Sequence, residues 1–513
     1  MDSKPCRQSL STFIKRNATN GAQPSPAIVS AAKALFHKTS RSKKHNWEKG
    51  PLYVLLREHW QRYLESRQKN RDPKRGYLRP EIRNTFESFL QCGVLAHGVA
   101  RFLCNTCGKQ RLVPLSCRKR GLCSRCRQKN NAIWSEWVQS EVLPQVAYRQ
   151  WVLSLPKCIR VFFRFDPTLK AKLSGIVFRV ITDYIRIRFG RPDLIPLMIT
   201  CDQSFGTLLD YSPHLHNLIA DGGFTPEGKF VPLGKIPRRH QKELEELMRR
   251  RILTWLVRIG KISSTWAKTM RRWEHAGFSL HLETRIRADD RAGLGRLLNY
   301  MRRHPFSMRG IHYNPATQKI IYRASKIHGG KKRNFAIFTP TEFIAALSDH
   351  IPHRGKHEIR YYGAAHPQVR RRLFPNRSIT KAVPVVEPLH LQKQGRRAWA
   401  RWIWRIFEVD PLHCSCGGTL TLNAIVLNKE SIRRILAHAG EPTEGPIMAS
   451  ARSPPLRPSV CPSAEVPTGT RFPPHSNQTT SIWRTYENGD APSLWEDAID
   501  FIPSDEDLFL NPP

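Results

Sequence analysis

The segment Ser212 to Phe224, SPHLHNLIADGGF, sets His214 and His216 one residue apart in an otherwise apolar run. A buried imidazole needs partners for its ring nitrogens, so such a pair is either well supported or has a chemical role. In an extended chain residues two apart share a face. His214, His216 and Leu218 then point one way, while Leu215 and Ile219 point the other way, toward a core. Two imidazoles side by side make half of a divalent-metal site. The apolar stretch before them, LIPLMITCDQSF, pairs with this strand in a hairpin. A turn around Asp210–Ser212 brings Gln203 within a residue or two of the position opposite His216. The Gln203 amide oxygen suits a hard ion such as Mg²⁺ or Mn²⁺. An HxH on its own is more often accidental than ligating, so its weight depends on its neighbours.

A second constellation is CNTCGKQRLVPLSCRKRGLCSRC. Cys104 and Cys107 form one CxxC and Cys123 and Cys126 another, fifteen residues apart, the spacing expected of a closed four-cysteine Zn²⁺ site. Four thiolates leave no open position, so this metal folds the module and does not catalyse. Cys117 and Cys92 are nearby thiols able to replace a ligand. Arg118, Lys119 and Arg120 sit inside the cluster and are candidates for phosphate contacts.

A third is DDRAGLGRLLNYMRR, which reads as a helix capped by Asp289 or Asp290, with Leu294, Leu297, Leu298 and Met301 as its apolar stripe. Tyr300 lies on the flank of that stripe, from which a phenol can reach over a sheet edge. Arg302 and Arg303 follow it as further candidates for DNA contacts. Tyr361 and Tyr362 are rival nucleophiles, and Asp202, Asp221, Asp289 and Asp290 are the carboxylates that a three-acid metal nuclease would need to bring together.

These groups must be positioned by several bodies. The 513 residues carry a net charge of +43, and the basic runs (RKRG at 118, MRRR at 248, MRRH at 301, VRRRL at 369) recur along the folded part. That distribution favours a polyanionic partner, nucleic acid first. No leading apolar segment follows the first methionine and no stretch reaches membrane-span length, so a cytoplasmic protein with reduced cysteines is expected. The composition divides the chain into a basic leader (1–45), a helical zinc-binding module (46–148), a mixed domain (149–395), a Trp/Arg-rich module ending at HCSCGG (396–440) and a Pro/Ser-rich, acidic tail (441–513). Periodicity predicts a helix from Leu52 to Tyr63, another over 130–147, strands at RQWVLSLP and IRVFFRF, a helix over GIVFRVITDYIRIRF, the hairpin, a turn at DGGF, and a helix from Thr341. The fold class expected is α+β.

An HxH strand after a Gln-bearing strand, then a one-tyrosine helix followed by RR-x-P, resembles the HUH rolling-circle transposases of the insertion-sequence-91 family, in its insertion-sequence-common-region branch. The likeness runs from about residue 85 to 455 and includes CGVLAHGVARFLCNTCG, DQSFGTLLDYSPHLHNLIADGGF, DRAGLGRLLNYMRRHPFSM and IRRILAHAGEP. The resemblance implies an HUH endonuclease domain, an antiparallel sheet flanked by helices, behind the zinc module. It implies His214 and His216 as ligands of a catalytic Mg²⁺ or Mn²⁺, with Gln203 as third ligand. Tyr300 would attack a phosphodiester, forming a 5′-phosphotyrosine and freeing a 3′-OH. The implied partners are single-stranded element ends, target DNA and host replication proteins, in a bacterial cytoplasm at the nucleoid. Two-tyrosine members carry a second tyrosine where this chain has Arg296; the family usually has two prolines where this chain has His304–Pro305, and commonly a late CxxCGG where it has Cys414-Ser-Cys416 before two glycines. Two other readings compete: a zinc-dependent DNA-binding protein without catalysis, and a transposase using three carboxylates.

Overall fold

The computed structural model of the chain describes residues 50–273, 277–282, 284–324, 333–375 and 412–450. The basic leader, the Trp/Arg run before residue 412 and the acidic tail beyond residue 450 lie outside the described residues. In chain order the elements are α1 (Pro51–Lys69), α2 (Pro80–Gln91), β1 (Val99–Cys104), β2 (Gln110–Pro114), α3 (Ser124–Trp137), β3 (Tyr148–Ser154), α4 (Lys157–Phe165), α5 (Leu169–Phe189), β4 (Ile195–Phe205), β5 (Tyr211–Phe224), β6 (Phe230–Pro232), α6 (Arg238–Arg258), α7 (Ser264–Arg272), β7 (Ser279–His281), β8 (Arg285–Ile286), α8 (Arg291–Met301), β9 (Ile311–Asn314), β10 (Lys319–Arg323), β11 (Phe335–Phe338), α9 (Pro340–Ser348), β12 (Ile359–Gly363), α10 (Pro367–Leu373), β13 (Leu420–Val426) and α11 (Lys429–His438). Helices mix with antiparallel sheets, so the fold is α+β, as the sequence suggests. Among the described residues no helix is long and apolar enough to cross a membrane.

The central sheet runs β12-β4-β5-β3-β7, antiparallel throughout, with β6 paired to β5 and β8 to β3. Its middle strands are covered on both faces, which is why IPLMITC and HNLIA read as nearly continuous apolar runs. On one face, Leu197, Ile199, Leu218 and Ala220 bury against Leu294, Leu297, Leu298 and Met301 of α8 and against Trp134 and Val138 at the end of α3. On the other, α5 packs on β4 and β5. Edge strand β12 alternates between the two. Tyr362 stacks on Phe178 of α5, whereas Tyr361 joins the α8 side and accepts a hydrogen bond from Trp134 Nε1 at 2.8 Å.

The helical N-terminal region does not form a core of its own. Leu52, Leu55, Trp60 and Phe86 of α1 and α2 share one core with Ile320 and Tyr322 of β10 and with Phe343 and Leu347 of α9. β13 likewise pairs with β1 in a three-stranded sheet, β13-β1-β2, and Ile432 and Leu436 of α11 bury against Val99. The divisions drawn at residues 148 and 395 therefore do not separate cores in space. Linear composition is blind to packing between segments hundreds of residues apart.

Three local readings are corrected. IRVFFRF is helical, not a strand: Ile159 and Phe163, four apart, are buried, while Val161 and Phe165 are 45% and 52% exposed. A strand would have put all four on one face. The helix expected over 130–147 starts earlier, at Ser124, and Trp137 stays exposed. DGGF is not a turn but the end of β5, where Gly222 pairs with Pro232 of β6 and a Cβ would lie 2.1 Å from the Val231 carbonyl oxygen.

Gly363 ends β12 at φ +56°, where the Ala364 N–H bonds the Pro196 carbonyl and a Cβ would lie 1.9 Å from that oxygen. Gly363→Ala is therefore expected to destabilise the protein by about 1–3 kcal/mol through strain alone. Chemical denaturation should show a lowered midpoint, and an unchanged midpoint would mean the edge strand relaxes freely.

Candidate active site

The β4–β5 hairpin turns over Gly206–Asp210, with the Gly206 N–H donating to the Asp210 carbonyl at 2.8 Å. This is earlier than the turn expected around Asp210–Ser212. The register therefore sets Gln203 opposite His214, and Cys201 opposite His216. Gln203, His214 and His216 still share one face of the sheet, the face covered by α8. The Nε2 atoms of His214 and His216 stand 3.1 Å apart, and the rings meet edge to face. The Nδ1 of His214 donates to the Ser212 carbonyl at 2.7 Å, which fixes Nε2 as the free lone pair. The Nδ1 of His216 lies 2.7 Å from the Gln150 side-chain amide on β3. The Gln150 Nε2–H donates to this Nδ1, so the His216 proton sits on Nε2 and faces the His214 Nε2 lone pair at 3.1 Å; a bound ion would displace that proton.

Burial pushes the His214 pKa down to about 4, with Arg303 and Arg160 adding to the effect against the Ser212 hydrogen bond. Burial pushes His216 well below its ordinary value too, and His214 and Arg303 reinforce this. Both imidazoles are thus neutral at physiological pH, the form that binds metals.

Gln203 is almost fully buried, and its Nε2 donates to the carbonyls of Tyr300 and Met301 at 3.2 and 2.8 Å. Those are terminal carbonyls of α8, which lack partners within the helix. The two acceptors fix the orientation of the amide, and Gln203 Oε1 is left buried with no hydrogen-bond partner. An orphaned carbonyl oxygen on the face that carries two converging imidazole nitrogens fits a divalent ion. Ligands about 2.1 Å from an ion and at right angles to each other lie roughly 3 Å apart, the separation of the two Nε2 atoms.

Tyr300 closes the group. α8 begins at Asp290, whose carboxylate accepts from the Gly293 N–H at 2.7 Å, and its apolar stripe is buried as the spacing predicts. The Tyr300 ring stands perpendicular to that of His216 with centroids 5.5 Å apart, yet remains 45% exposed. The Arg303 guanidinium lies 4.7 Å from its ring centre and 5.2 Å from that of Phe205. The site thus joins two neutral imidazoles, an orphan amide oxygen, an accessible phenol and an exposed cation. Arg303 and Gln150 complete it. Gln150 was not singled out from the sequence, because its role is visible only once β3 pairs with β5. Arg296, one turn before Tyr300, is exposed and faces Asp290 at 3.9 Å.

The rival groups do not assemble. Tyr361 and Tyr362 are engaged with Trp134 and Ser174, and burial pushes both phenols up. Asp202 forms a two-pronged pair with Arg360, Asp221 is buried between Arg149 and Arg285, Asp289 faces Arg287 and Asp290 caps α8. Each carboxylate is committed to a different partner, so no acidic triad forms among the described residues. Of the basic candidates, Arg118 is exposed, Lys119 half-buried, and Arg120 donates to the Lys356 carbonyl. Arg302 is half-buried. Its guanidinium lies 4.9 Å from the Trp134 ring, its carbonyl accepts from Arg127 and Asn131, and burial lowers its pKa to about 10.

The four-cysteine site is corrected as well. Cys123 and Cys126 do not meet Cys104 and Cys107. They gather with Cys92 and Cys117, with sulfur separations of 3.8 Å (Cys92–Cys123), 3.9 Å (Cys92–Cys126) and 3.6 Å (Cys117–Cys126). Cys104 and Cys107 gather instead with Cys414 and Cys416, with separations of 3.5 Å (Cys104–Cys416) and 3.6 Å (Cys107–Cys414). A tetrahedral ion with sulfurs at about 2.3 Å needs them roughly 3.8 Å apart, so both clusters fit zinc. The N–H groups of Cys107 and Thr106 hold the Cys104 thiol down at about 6, the direction a thiolate ligand needs. The reason for the regrouping lies in the β1–β2 hairpin and β13. The hairpin holds the first CxxC at its tip, and β13 delivers the CxC to the same place. The loop from Cys117 brings the second CxxC back to Cys92 at the end of α2.

Two family models match the chain. A family model described as "Transposase zinc-binding domain" matches residues 55–155, and one described as "Putative transposase" matches residues 198–372. The second match contains Gln203, His214, His216 and Tyr300. The chain is 24% identical over 378 residues to the transposase for insertion sequence element IS801 of Pseudomonas savastanoi pv. phaseolicola, covering 68% of this chain and 85% of the relative. It is 26% identical over 298 residues to the "Putative transposase y4qJ" of Sinorhizobium fredii, covering 53% and 71%. No solved structure matches the chain.

Gln203→Glu tests the double use of this side chain. It keeps an oxygen suited to a hard ion but removes the two N–H donors to α8, so a stability loss of about 1–3 kcal/mol is expected in denaturant titrations. Unchanged stability would mean that the helix end needs no anchor.

Proposed function

Because this chain belongs to the insertion-sequence-91 family of transposases, we propose that it nicks and rejoins single-stranded DNA at element ends through a 5′-phosphotyrosine on Tyr300, in support of rolling-circle transposition. The observation that carries this reading is the edge-to-face contact of Tyr300 with His216, whose Nε2 converges with that of His214 beside an orphaned Gln203 oxygen. His214, His216 and Gln203 would hold Mg²⁺ or Mn²⁺. When bound, such an ion polarises a scissile phosphate and offsets the charge that develops on it.

The remaining steps belong to the chain. The α8 stripe docks the helix on the sheet, and the Gln203 donors pin its last turn, so the Tyr300 oxygen is aimed without being buried. The Tyr300 oxygen attacks phosphorus and the bond to the 3′ oxygen breaks. The phenol loses one proton and the departing 3′ oxygen gains one, giving a tyrosyl phosphodiester and a free 3′-OH. The bond energy is retained for rejoining by a 3′-OH in the reverse reaction. The Arg303 cation beside the ring favours the anionic phosphate. Neutral imidazoles are required, since a protonated His216 would repel an ion and Arg303 alike. The exposed basic surface supplies the sequence-independent part of DNA affinity. With Arg296 at the position one turn earlier, a single tyrosine carries the chemistry. Zinc at the two cysteine clusters is structural, since four thiolates complete each coordination sphere.

Incubation with single-stranded DNA carrying an element end and Mn²⁺ should give a protein–DNA adduct that survives denaturing gels. Tyr300→Phe should abolish it, and His214→Ala or His216→Ala should reduce it on the order of 100-fold or more. An adduct persisting in Tyr300→Phe would overturn the nucleophile, and cleavage with no adduct would point to metal-only hydrolysis. Elemental analysis of the purified protein should find two zinc ions per chain. Cys123→Ser and Cys414→Ser should each lower the count to one and the double variant to none, and loss of both ions in either single variant would contradict two independent centres.

A further inference from the structure

We propose that a cleft on the α5 side of the central sheet binds one unpaired nucleotide of single-stranded DNA. The ligand class rests on the single-strand reading above, but the cleft is separate from the histidine face. Its volume is about 310 Å³, at the small end of ligand-sized clefts. It is walled by the α1–α2 body, by the ends of α4 and α5, and by Asp202 and Ser204 of β4. Those two residues flank Gln203 in sequence, so the cleft backs directly onto the strand that carries the candidate metal ligand.

Three features identify an anionic, flat ligand. First, the lining holds eight lysines and arginines against three carboxylates. Second, the carboxylates are already taken. Asp349 accepts from Arg75 Nε and Nη2 at 3.0 Å each, Asp202 from Arg360, and Glu358 from Arg127. Lys170, set among them, makes no hydrogen bond or ion pair among the described residues. Burial pushes its pKa down against the pull of Asp202 and Glu358, and an anion delivered to it would offset that burial. Third, large apolar rings stand at the rim: Tyr77 is 74% exposed and Phe165 52% exposed. The Arg71 guanidinium lies 5.8 Å from the Tyr77 ring.

A phosphate on Lys170 with its base against Tyr77 or Phe165 uses all three features, and stacking of this kind serves any base. A duplex presents no free base face to such a cleft, whereas an unpaired nucleotide does. The cleft also touches the hairpin end that shapes the nuclease site. The Oγ of Ser204 lies 3.1 Å from His350 Nδ1, and Phe205 packs edge-on against both His350 and His214. A strand held here is therefore anchored one strand's thickness from the reacting face.

The test uses the full chain carrying Tyr300→Phe, without added divalent ion, so that it reads binding alone and does not depend on the nucleophile. Fluorescence anisotropy follows a labelled single-stranded oligothymidylate and a labelled hairpin duplex. Lys170→Glu should weaken the single strand about tenfold, while duplex affinity stays within about twofold. Lys170→Met, which removes the charge but keeps the buried stem, should give an intermediate loss and report on folding. Oligothymidylate carrying 4-thiothymidine should crosslink to peptides containing Tyr77 or Phe165. Equal losses for both DNAs, no loss for either, or crosslinks only elsewhere would overturn the proposal. Competition by inorganic phosphate as effective as by a dinucleotide would reduce the cleft to an anion site and remove the base from it.

Discussion

The arrangement of the site turns on one side-chain amide. Gln203 gives both N–H bonds to the terminal carbonyls of α8, one of them the carbonyl of Tyr300 itself. The Tyr300 carbonyl also accepts from the Arg303 N–H at 3.1 Å, so the bond to Met301 matters most, and a buried carbonyl left unpaired costs about 1–3 kcal/mol. Meeting that need leaves the amide oxygen buried without a partner. The unsatisfied acceptor is thus placed on the face where two imidazole nitrogens stand 3.1 Å apart. One residue couples the position of the nucleophile to the donor set beside it, so the helix cannot shift without disturbing both.

The electrostatics follow from burial in a very basic protein. A chain of net charge +43 must keep its site from repelling itself. Burial together with Arg303 holds His214 and His216 neutral, which removes two positive charges from the vicinity of an ion. The acidic residues nearest in sequence are committed elsewhere as ion pairs, and Asp221 sits wholly inside one with Arg149 and Arg285. The donor set is accordingly neutral, two nitrogens and one amide oxygen. In the proposed reaction such a set would leave the full charge of a divalent ion available to the phosphate, whereas a triad of carboxylates would neutralise much of it.

Sequence alone disclosed what local period and spacing encode. The α8 stripe and its Asp290 cap, the alternation that puts His214 and His216 on one face, and the hairpin that brings Gln203 to them were all legible. Spacing mistook the register by about two residues, since the turn lies at Gly206–Asp210, but a shift of two preserves the face, so Gln203, His214 and His216 still share it. A shift of one would have lost it. Composition failed where two periods compete, as in IRVFFRF, whose aromatic and β-branched residues suit a strand but whose buried pair is helical. It also failed wherever partners are distant. Gln150 enters the site by strand pairing, and Arg302 is half-buried against the Trp134 ring.

The cysteines carry that last point furthest. Two CxxC pairs fifteen residues apart satisfy the spacing rule for one site, and nothing local contradicts it. The rule counts residues and ignores the hairpin between them. β1 and β2 hold the first pair at a tip that the second pair does not reach, and the sheet has an open edge at β1. β13 fills that edge, and its preceding loop brings Cys414 and Cys416 to the tip. A site built this way closes a chain segment of about three hundred residues. Loop-closure entropy grows only logarithmically with length, so the added cost over a short loop is a few kcal/mol, well within what four zinc–thiolate bonds supply. The odd CxC spacing is then a consequence of position. It sits at a strand-end turn where the Gly417 N–H bonds the Cys414 carbonyl and Gly418 leaves room for the Cys104 sulfur, to which a Cβ would approach within 2.9 Å. A tight turn across a sheet edge, not a free knuckle, sets the spacing between those two thiols.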